Sequence, residues 1–519
     1  MCGWRLLWAL IALSALGCST LPRGAEAPKS ASFALDRPQD TKLGHQFLEE
    51  SRQHRGESGF HIINAGIDGF VARVQLARAA ERTLDLQYFI FRGDKTGGLI
   101  ADELVRAADR GVRVRILVDD ADTVAGDERI LALGGHANIE VRVFNPFDYR
   151  GHNEFLRHLD FVFHKGRLDY RMHNKLMVAD NAVALIGGRN IGNQYFQIDP
   201  DSQFADDDVF AAGEIAQRLS KTFDEFWNSK LAVPATALPL PRSHPGRAAH
   251  VSFRDSGIDY GARVASGQPY VALVSDAGAL TWSHADVVCD SPDKKDVVQR
   301  KKSGRLMAPE VTAAIGDARQ ELLMVTPYFV PSDGELARLE KLRERGARVR
   351  ILSNSLESAP ELSAQSGYTK FRVPLLEAGV ELYEVRALLE RTRGSGQTPA
   401  VSRYGTYGLH AKLYVMDRQR LYIGSMNYDQ RSLRINTEVG LIIDSPALAE
   451  QTARRFEDMV TPQEAYRVSL QREPSGREKL VWDTELDHQP VEFTHEPSRG
   501  WWQREKMKLL SLLPIDREL

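Results

Sequence analysis

The stretch His173-Asn174-Lys175-Leu176-Met177-Val178-Ala179-Asp180 returns later in the chain as His410-Ala411-Lys412-Leu413-Tyr414-Val415-Met416-Asp417. Both copies have the spacing H-x-K-x4-D. Each is followed at the same interval by a small pair, Gly187-Gly188 or Gly424-Ser425, and then by Asn190 or Asn427. One such string arises by accident. Two in register are an internal duplication with a function in it. In each copy two apolar runs flank a polar pair, Asp180-Asn181 or Asp417-Arg418, which is a hairpin pattern. Side chains alternate along a strand, so His173 and Lys175 point to one face. Asp180 sits at the turn, several residues from His173, and no direct bond between them is implied. Gly187 and Gly188 lack a Cβ and let the backbone come close to a ligand.

The duplication runs outward from the motif. Residues 84–91 match 323–330 in character, 111–117 match 346–352 closely, and 139–144 match 380–385. Each half therefore reads as strand, amphipathic helix, strand, then motif hairpin. The helices before Gly111 and Gly346 are expected to stop at those glycines. Alternating strands and helices predict an α/β sandwich with a largely buried sheet in each half. Two similar halves with their motif edges facing would share one site. Paired histidines, lysines and asparagines are what a phosphodiester needs for covalent transfer without a metal.

On these residues the chain resembles the phospholipase D superfamily in its two-motif form, over residues 45–470. Phe144-Asn145-Pro146-Phe147, Arg171-Met172-His173-Asn174-Lys175 and Gly187-Gly188-Arg189-Asn190-Ile191-Gly192 resemble bacterial cardiolipin synthases of the C type. Tyr328-Phe329-Val330-Pro331 and Asn427-Tyr428-Asp429-Gln430-Arg431-Ser432 do so as well. The resemblance implies two α/β/α sandwich domains packed around one active site. It implies double displacement: one histidine forms a phosphohistidine, and the other protonates the leaving alkoxide and then deprotonates the incoming hydroxyl. His173 is read as the nucleophile and His410 as the acid. Lys175, Lys412, Asn190, Asn427 and Ser425 are expected to hold the phosphate oxygens. Asp180 and Asp417 complete the motif and are candidate catalytic residues, with a structural role in the turn as the alternative. The family orients each histidine with a downstream acid. Glu438 fits in the second half; Asp208 is preferred in the first, with Asp206 in reserve. No metal and no cofactor are implied.

Four functions are compatible with this set. The leading one is a phosphatidyltransferase that passes a phosphatidyl group to phosphatidylglycerol, the donor being phosphatidylglycerol or phosphatidylethanolamine. The others are a phospholipase D hydrolase, a nuclease, and a lipid-binding protein with a vestigial site. The chain has 519 residues, 43% hydrophobic and 26% charged, with a net charge of −3. Those are globular values with room for two domains. The negative balance counts against nonspecific binding of nucleic acid. A shared site between the two halves requires no oligomer.

Residues 1–17 read as an export signal, with Arg5 followed by an apolar run too short to span a bilayer. The run ends Ala15-Leu16-Gly17-Cys18, which resembles a bacterial lipoprotein box. Cys18 would then be lipidated, and Ser19 after it resembles outer-membrane sorting, facing the periplasm. Of the three cysteines only Cys289 would remain beyond the signal, as a packing residue. Residues 18–44 read as a tether, 45–232 as the first domain, 233–250 as a Pro-rich linker and 251–470 as the second domain. Residues 286–303 read as a charged surface loop, and 388–403 as a lid or an irregular loop. Residues 471–519 form a tail. Its Trp501-Trp502 pair, interleaved cations and Leu-rich end suit either a lipid interface or docking on the protein's own core.

Overall fold

The computed structural model describes residues 22, 24–121, 128–151, 153–199, 202–238, 277–387, 406–474, 476 and 478–512. The export signal, Cys18, residues 239–250 of the expected linker and the 388–403 segment lie outside the described residues.

The first half contributes strands β1 (Ser58–Ile63), β2 (Thr83–Tyr88), β3 (Arg113–Asp119), β4 (Ile139–Phe144), β5 (Lys175–Ala179), β6 (Val183–Gly187), β7 (Ser202–Ala205), β8 (Asp208–Ala212) and β9 (Ala232–Pro234). The second contributes β10 (Thr281–Cys289), β11 (Glu321–Val325), β12 (Phe329–Val330), β13 (Arg348–Asn354), β14 (Glu381–Val385), β15 (Thr406–Leu409), β16 (Leu413–Met416) and β17 (Arg420–Gly424). It continues with β18 (Tyr428–Asp429), β19 (Val439–Asp444), β20 (Ala465–Arg472), β21 (Glu478–Leu486) and β22 (Gln489–Phe493).

In the first half the spatial order is β9-β4-β3-β2-β5-β6-β8-β1, with β2, β3 and β4 parallel and β5, β6 and β8 antiparallel. The second half repeats it as β14-β13-β11-β16-β17-β19-β10. The motif hairpins are β5–β6 and β16–β17. Their turn residues all have positive φ: Asp180 51°, Asn181 53°, Asp417 54° and Arg418 53°. That is the mirror-image turn whose twist matches paired strands. The helix Lys95–Asp109 starts on the Asp94 cap and ends before Gly111 at φ 92°. Its counterpart Asp333–Glu344 starts on a Ser332/Glu335 capping box and ends before Gly346 at φ 90°. Glycine is required at both ends because a Cβ disfavours that backbone.

Strand alternation sorts the core. Leu176 and Val178 join Leu413 and Val415 in one apolar layer shared by both halves, with helices Glu214–Trp227 and Pro446–Met459. Met177 and Ala179 face the outer core of the first half, and Tyr414 and Met416 that of the second. Each Leu or Val buried this way contributes about 1.5–3 kcal/mol, so the shared layer holds the halves in one fixed relation.

Several boundaries differ from the expectation. β10 leaves the sheet of one half and enters that of the other: Thr281 to Ser283 pair with β1, and His284 to Cys289 with β19. One continuous sheet of 18 strands results. The expected loop 286–303 thus begins in a strand, and it contains the helix Lys294–Val298. Ala232–Pro234, read as the start of the linker, pairs with β4 instead. The expected tether is docked from Lys29 on. The Lys29 ammonium donates to the Ser229 and Ala232 carbonyls, and Arg115 donates to the Ser32 carbonyl. The expected tail continues the sheet before its helix: β20, which starts ahead of it at Ala465, forms with β21 and β22 an antiparallel meander on β14, followed by the helix Trp501–Ser511. Cys289 is buried, as expected of a packing residue.

Candidate active site

The two motif histidines stand where β5 and β16 begin. β5 runs against β2, so Lys175 lies opposite Tyr88, at the carboxyl end of the parallel strands. β16 runs against β11 in the same way, with Leu413 opposite Val325. The segment before each histidine is pinned to the other half. The His173 N–H donates to the Thr437 carbonyl at 2.9 Å, and the Thr437 N–H to the Arg171 carbonyl at 3.0 Å. On the other side β15 pairs in parallel with β7, and the His410 N–H donates to the Ala205 carbonyl at 2.8 Å.

This crossing hands each histidine an acid from the opposite half. His173 Nδ1 lies 2.9 Å from Glu438 Oε2, and His410 Nδ1 lies 2.6 Å from Asp206 Oδ2. Asp208 is therefore not the partner of a histidine. Its carboxylate is tied to Arg73 at 2.8 Å and Arg189 at 3.2 Å, because the strand alternation of β8 turns it toward helix Gly66–Ala79. Asp206 lies just before that strand, where the chain approaches β15. A Cβ on Gly188 would overlap the Asp206 carboxylate. The glycine is thus required by the acid rather than by a ligand, and its counterpart Ser425 explains the asymmetry. The Ser425 hydroxyl donates to Glu438 and accepts the Val439 N–H at 3.0 Å. Ser425 holds an acid in place and is not free to bind phosphate. Asp290 supports the same acid, accepting the Glu438 N–H at 3.0 Å, with Lys294 at 2.9 Å from its carboxylate.

The two motif aspartates have no contact with the histidines. Asp180 accepts the N–H groups of Glu81, Arg82 and Thr83 at 2.9, 2.8 and 2.9 Å. Asp417 does the same for Arg319, Gln320 and Glu321 at 2.9, 2.7 and 2.9 Å. They lie at the far end of the hairpin, and they cap the entry to β2 and β11. A catalytic role for either is excluded by that position.

Electrostatics gather the remaining residues into one centre. Burial and the charges of Lys175 and Lys412 hold the His173 imidazole well below its ordinary value. Burial and the same two lysines lower His410, against the pull of Asp206. Each lysine thus acts on both histidines. Burial lowers Lys412 to about 8 and holds Lys175 well below its ordinary value. Burial pushes Glu438 up to about 7 despite Lys175. Burial works to raise Asp206 too, but His410 and Lys412 outweigh it and hold that carboxyl at about 2. Each imidazole thus meets a carboxylate of the opposite half through Nδ1, while burial and the two lysines disfavour its charged form. An anionic phosphodiester entering between the lysines returns them to the charged form.

Asn190 accepts the Ile90 N–H at 3.2 Å, and its buried amide nitrogen has no protein partner. At Asn427 the buried atom without a partner is instead the amide oxygen, an acceptor. Such groups are costly unless a ligand completes them. Aromatic rings wall the histidines: Phe89 lies edge-on to His173 at 4.9 Å, and Tyr195 edge-on to His410 at 5.1 Å. Phe204 completes the second wall at 5.5 Å. Sequence reasoning missed these rings, Thr437, Asp290 and the preference for Asp206. Only the Gly188/Ser425 asymmetry gave a local signal.

Comparison with known proteins bears on the family and the fold. A family profile described as "Cardiolipin synthase, PLD-like domain" matches residues 74–227 and 311–460. Cardiolipin synthase C of Escherichia coli is 32% identical over 92% of this chain and 99% of its own length. A major cardiolipin synthase of Bacillus subtilis is 25% identical over 80% of this chain and 72% of its own. In fold the chain is similar to phosphatidylserine synthase of Haemophilus influenzae, with a TM-score of 0.52 at 15% identity. That match covers 81% of this chain and 91% of the other.

Proposed function

The chain belongs to the cardiolipin synthase, phospholipase D-like family, and from that premise we propose that it passes the phosphatidyl group of one phospholipid to the glycerol hydroxyl of phosphatidylglycerol. It is an enzyme of the phosphatidyltransferase type. The observation that carries the reading is the pair of buried histidines, each held through Nδ1 by a carboxylate of the opposite half and each under the charge of both lysines. His173 Nε2 attacks phosphorus, and the bond to the donor headgroup oxygen breaks. His410 takes up a proton on Nε2 from solvent as the anionic diester enters, and gives it to the departing alkoxide. Neutral again, it takes the proton of the incoming hydroxyl, which attacks phosphorus and breaks the P–N bond. Lys175, Lys412, Asn190 and Asn427 hold the non-bridging oxygens, whose charge peaks at the pentacoordinate stage. Water in place of the lipid alcohol would give phosphatidic acid, so the choice between transfer and hydrolysis lies in exclusion of water. The aromatic wall of Phe89, Tyr195 and Phe204 favours transfer.

Purified protein given labelled phosphatidylglycerol, with and without phosphatidylethanolamine, tests the reading. Labelled cardiolipin is the expected product. Phosphatidic acid alone would assign a hydrolase, and nicking of plasmid without lipid turnover would assign a nuclease.

A further inference from the structure

The helix Glu154–Phe163 is amphipathic, but inside out. Its polar side binds the protein. Arg157 donates to the Ala121 carbonyl at 3.2 Å and covers the Phe147 ring at 4.0 Å. Asp160 accepts the Tyr149 N–H at 2.9 Å and meets His164 Nδ1 at 2.7 Å. Its apolar side faces solvent, with Phe155 67%, Leu156 42%, Val162 48% and Phe163 57% exposed. With half-buried Leu159 these positions form one stripe at helical spacing. On a water-facing helix that stripe would normally turn to the core.

The second half presents a similar surface. Helix Trp501–Ser511 buries Met507 and packs against helix Leu362–Thr369, with Gln503 donating to the Leu356 carbonyl at 2.8 Å. Trp501, Trp502 and Leu509 stay 55%, 78% and 67% exposed, among the exposed Lys506 and Lys508. The two helices occupy equivalent places. Arg157 reaches the residues just after β3, and Gln503 reaches the residues just after β13. Those strands end on the edge that carries His173 and His410.

We propose that this edge is a lipid docking face, in which helices Glu154–Phe163 and Trp501–Ser511 seat the mouth of the site on an anionic bilayer. The proposal rests on the phospholipid reading of the site. A phospholipid whose phosphate lies between the two lysines has to send its acyl chains out over this rim. The exposed Phe, Leu and Trp side chains match the headgroup–acyl boundary, and Lys506 matches anionic headgroups, as does Lys508 once it exchanges its exposed pair with Glu505 at 2.9 Å. The same cations oppose closure of this face on a second copy of itself.

The test uses the chain from Ser19 on, so that neither the apolar run of residues 6–17 nor an N-terminal acyl group contributes. Its partition onto vesicles of phosphatidylglycerol and phosphatidylcholine is compared with that of the added pairs Phe155→Asp/Phe163→Asp and Trp501→Ser/Trp502→Ser. Each pair is expected to weaken partition by about tenfold or more. Turnover of a short-chain phospholipid below its micelle concentration should remain unchanged, which also shows that the variants fold. Partition within about twofold of the parent in both pairs would overturn the docking face. So would a parent that sediments as a dimer and variants that sediment as monomers. Partition needs no catalysis. A protein that binds vesicles but turns over no phospholipid therefore supports the docking face and refutes the reading of the site.

Discussion

The two histidines owe their orientation to acids that neither half supplies to itself. Glu438 serves His173 and Asp206 serves His410, each across the boundary between halves. Asp206→Asn is expected to lower kcat by roughly a hundredfold or more without loss of fold, because the imidazole loses its orienting acceptor. Asp208→Asn has the opposite signature: it leaves Arg73 and Arg189 underpaired in the interior, and stability falls by about 3–5 kcal/mol. Denaturant unfolding and kcat on both variants check this, and an exchange of the two phenotypes would contradict it. The pH dependence follows from the same groups. Glu438, raised to about 7, must be ionised to accept from His173, so activity falls as pH drops through that value. Lys412, lowered to about 8, must be charged to bind phosphate, so activity falls as pH rises through it. The expected kcat/KM profile is a narrow bell between those values, and Glu438→Gln removes its acid limb. A flat profile from about pH 5 to 10 would contradict the assignment. A downstream acid for each histidine was legible in the chain, but which acid served which histidine was not. The partner sits across an interface, and no local spacing encodes that.

At the scale of the element, the hairpins were readable because alternation and turn residues agree. The motif letters themselves were less informative than they look. Asp180 and Asp417 belong to the repeat, yet each serves strand geometry by gathering three N–H groups at the start of β2 or β11. Asp180→Ala should cost about 2 kcal/mol of stability, as buried donors lose their acceptor, with kcat for the folded protein retained. Loss of kcat in a protein of unchanged stability would restore it to the chemistry. The helix Glu154–Phe163 was hidden for a different reason. An apolar stripe reads identically whether it faces core or lipid, and only the partners of Arg157 and Asp160 reveal which way it turns. The strands after Ala465 were masked by their mixed polarity, since an edge meander buries one face incompletely.

The whole molecule is a duplication whose halves have ceased to be separable. The chain pattern made the two halves and their common site evident. It could not show β10 joining their sheets, because the residues that pair with β1 and β19 lie far from it in sequence. Nor could it show the apolar layer they share. The site exists only in the assembled pair, with one histidine from each repeat and each oriented by the other repeat's carboxylate. The covalent intermediate tests that claim most directly. Protein mixed with phospholipid labelled in the phosphatidyl group, quenched in alkali and digested, should carry label on the peptide containing His173. Label should form slowly and then persist in His410→Ala, which lacks the acid of the first step and the base of the second, and be absent from His173→Ala. Label on His410, or none in any of the three proteins while the parent turns over, would contradict the account.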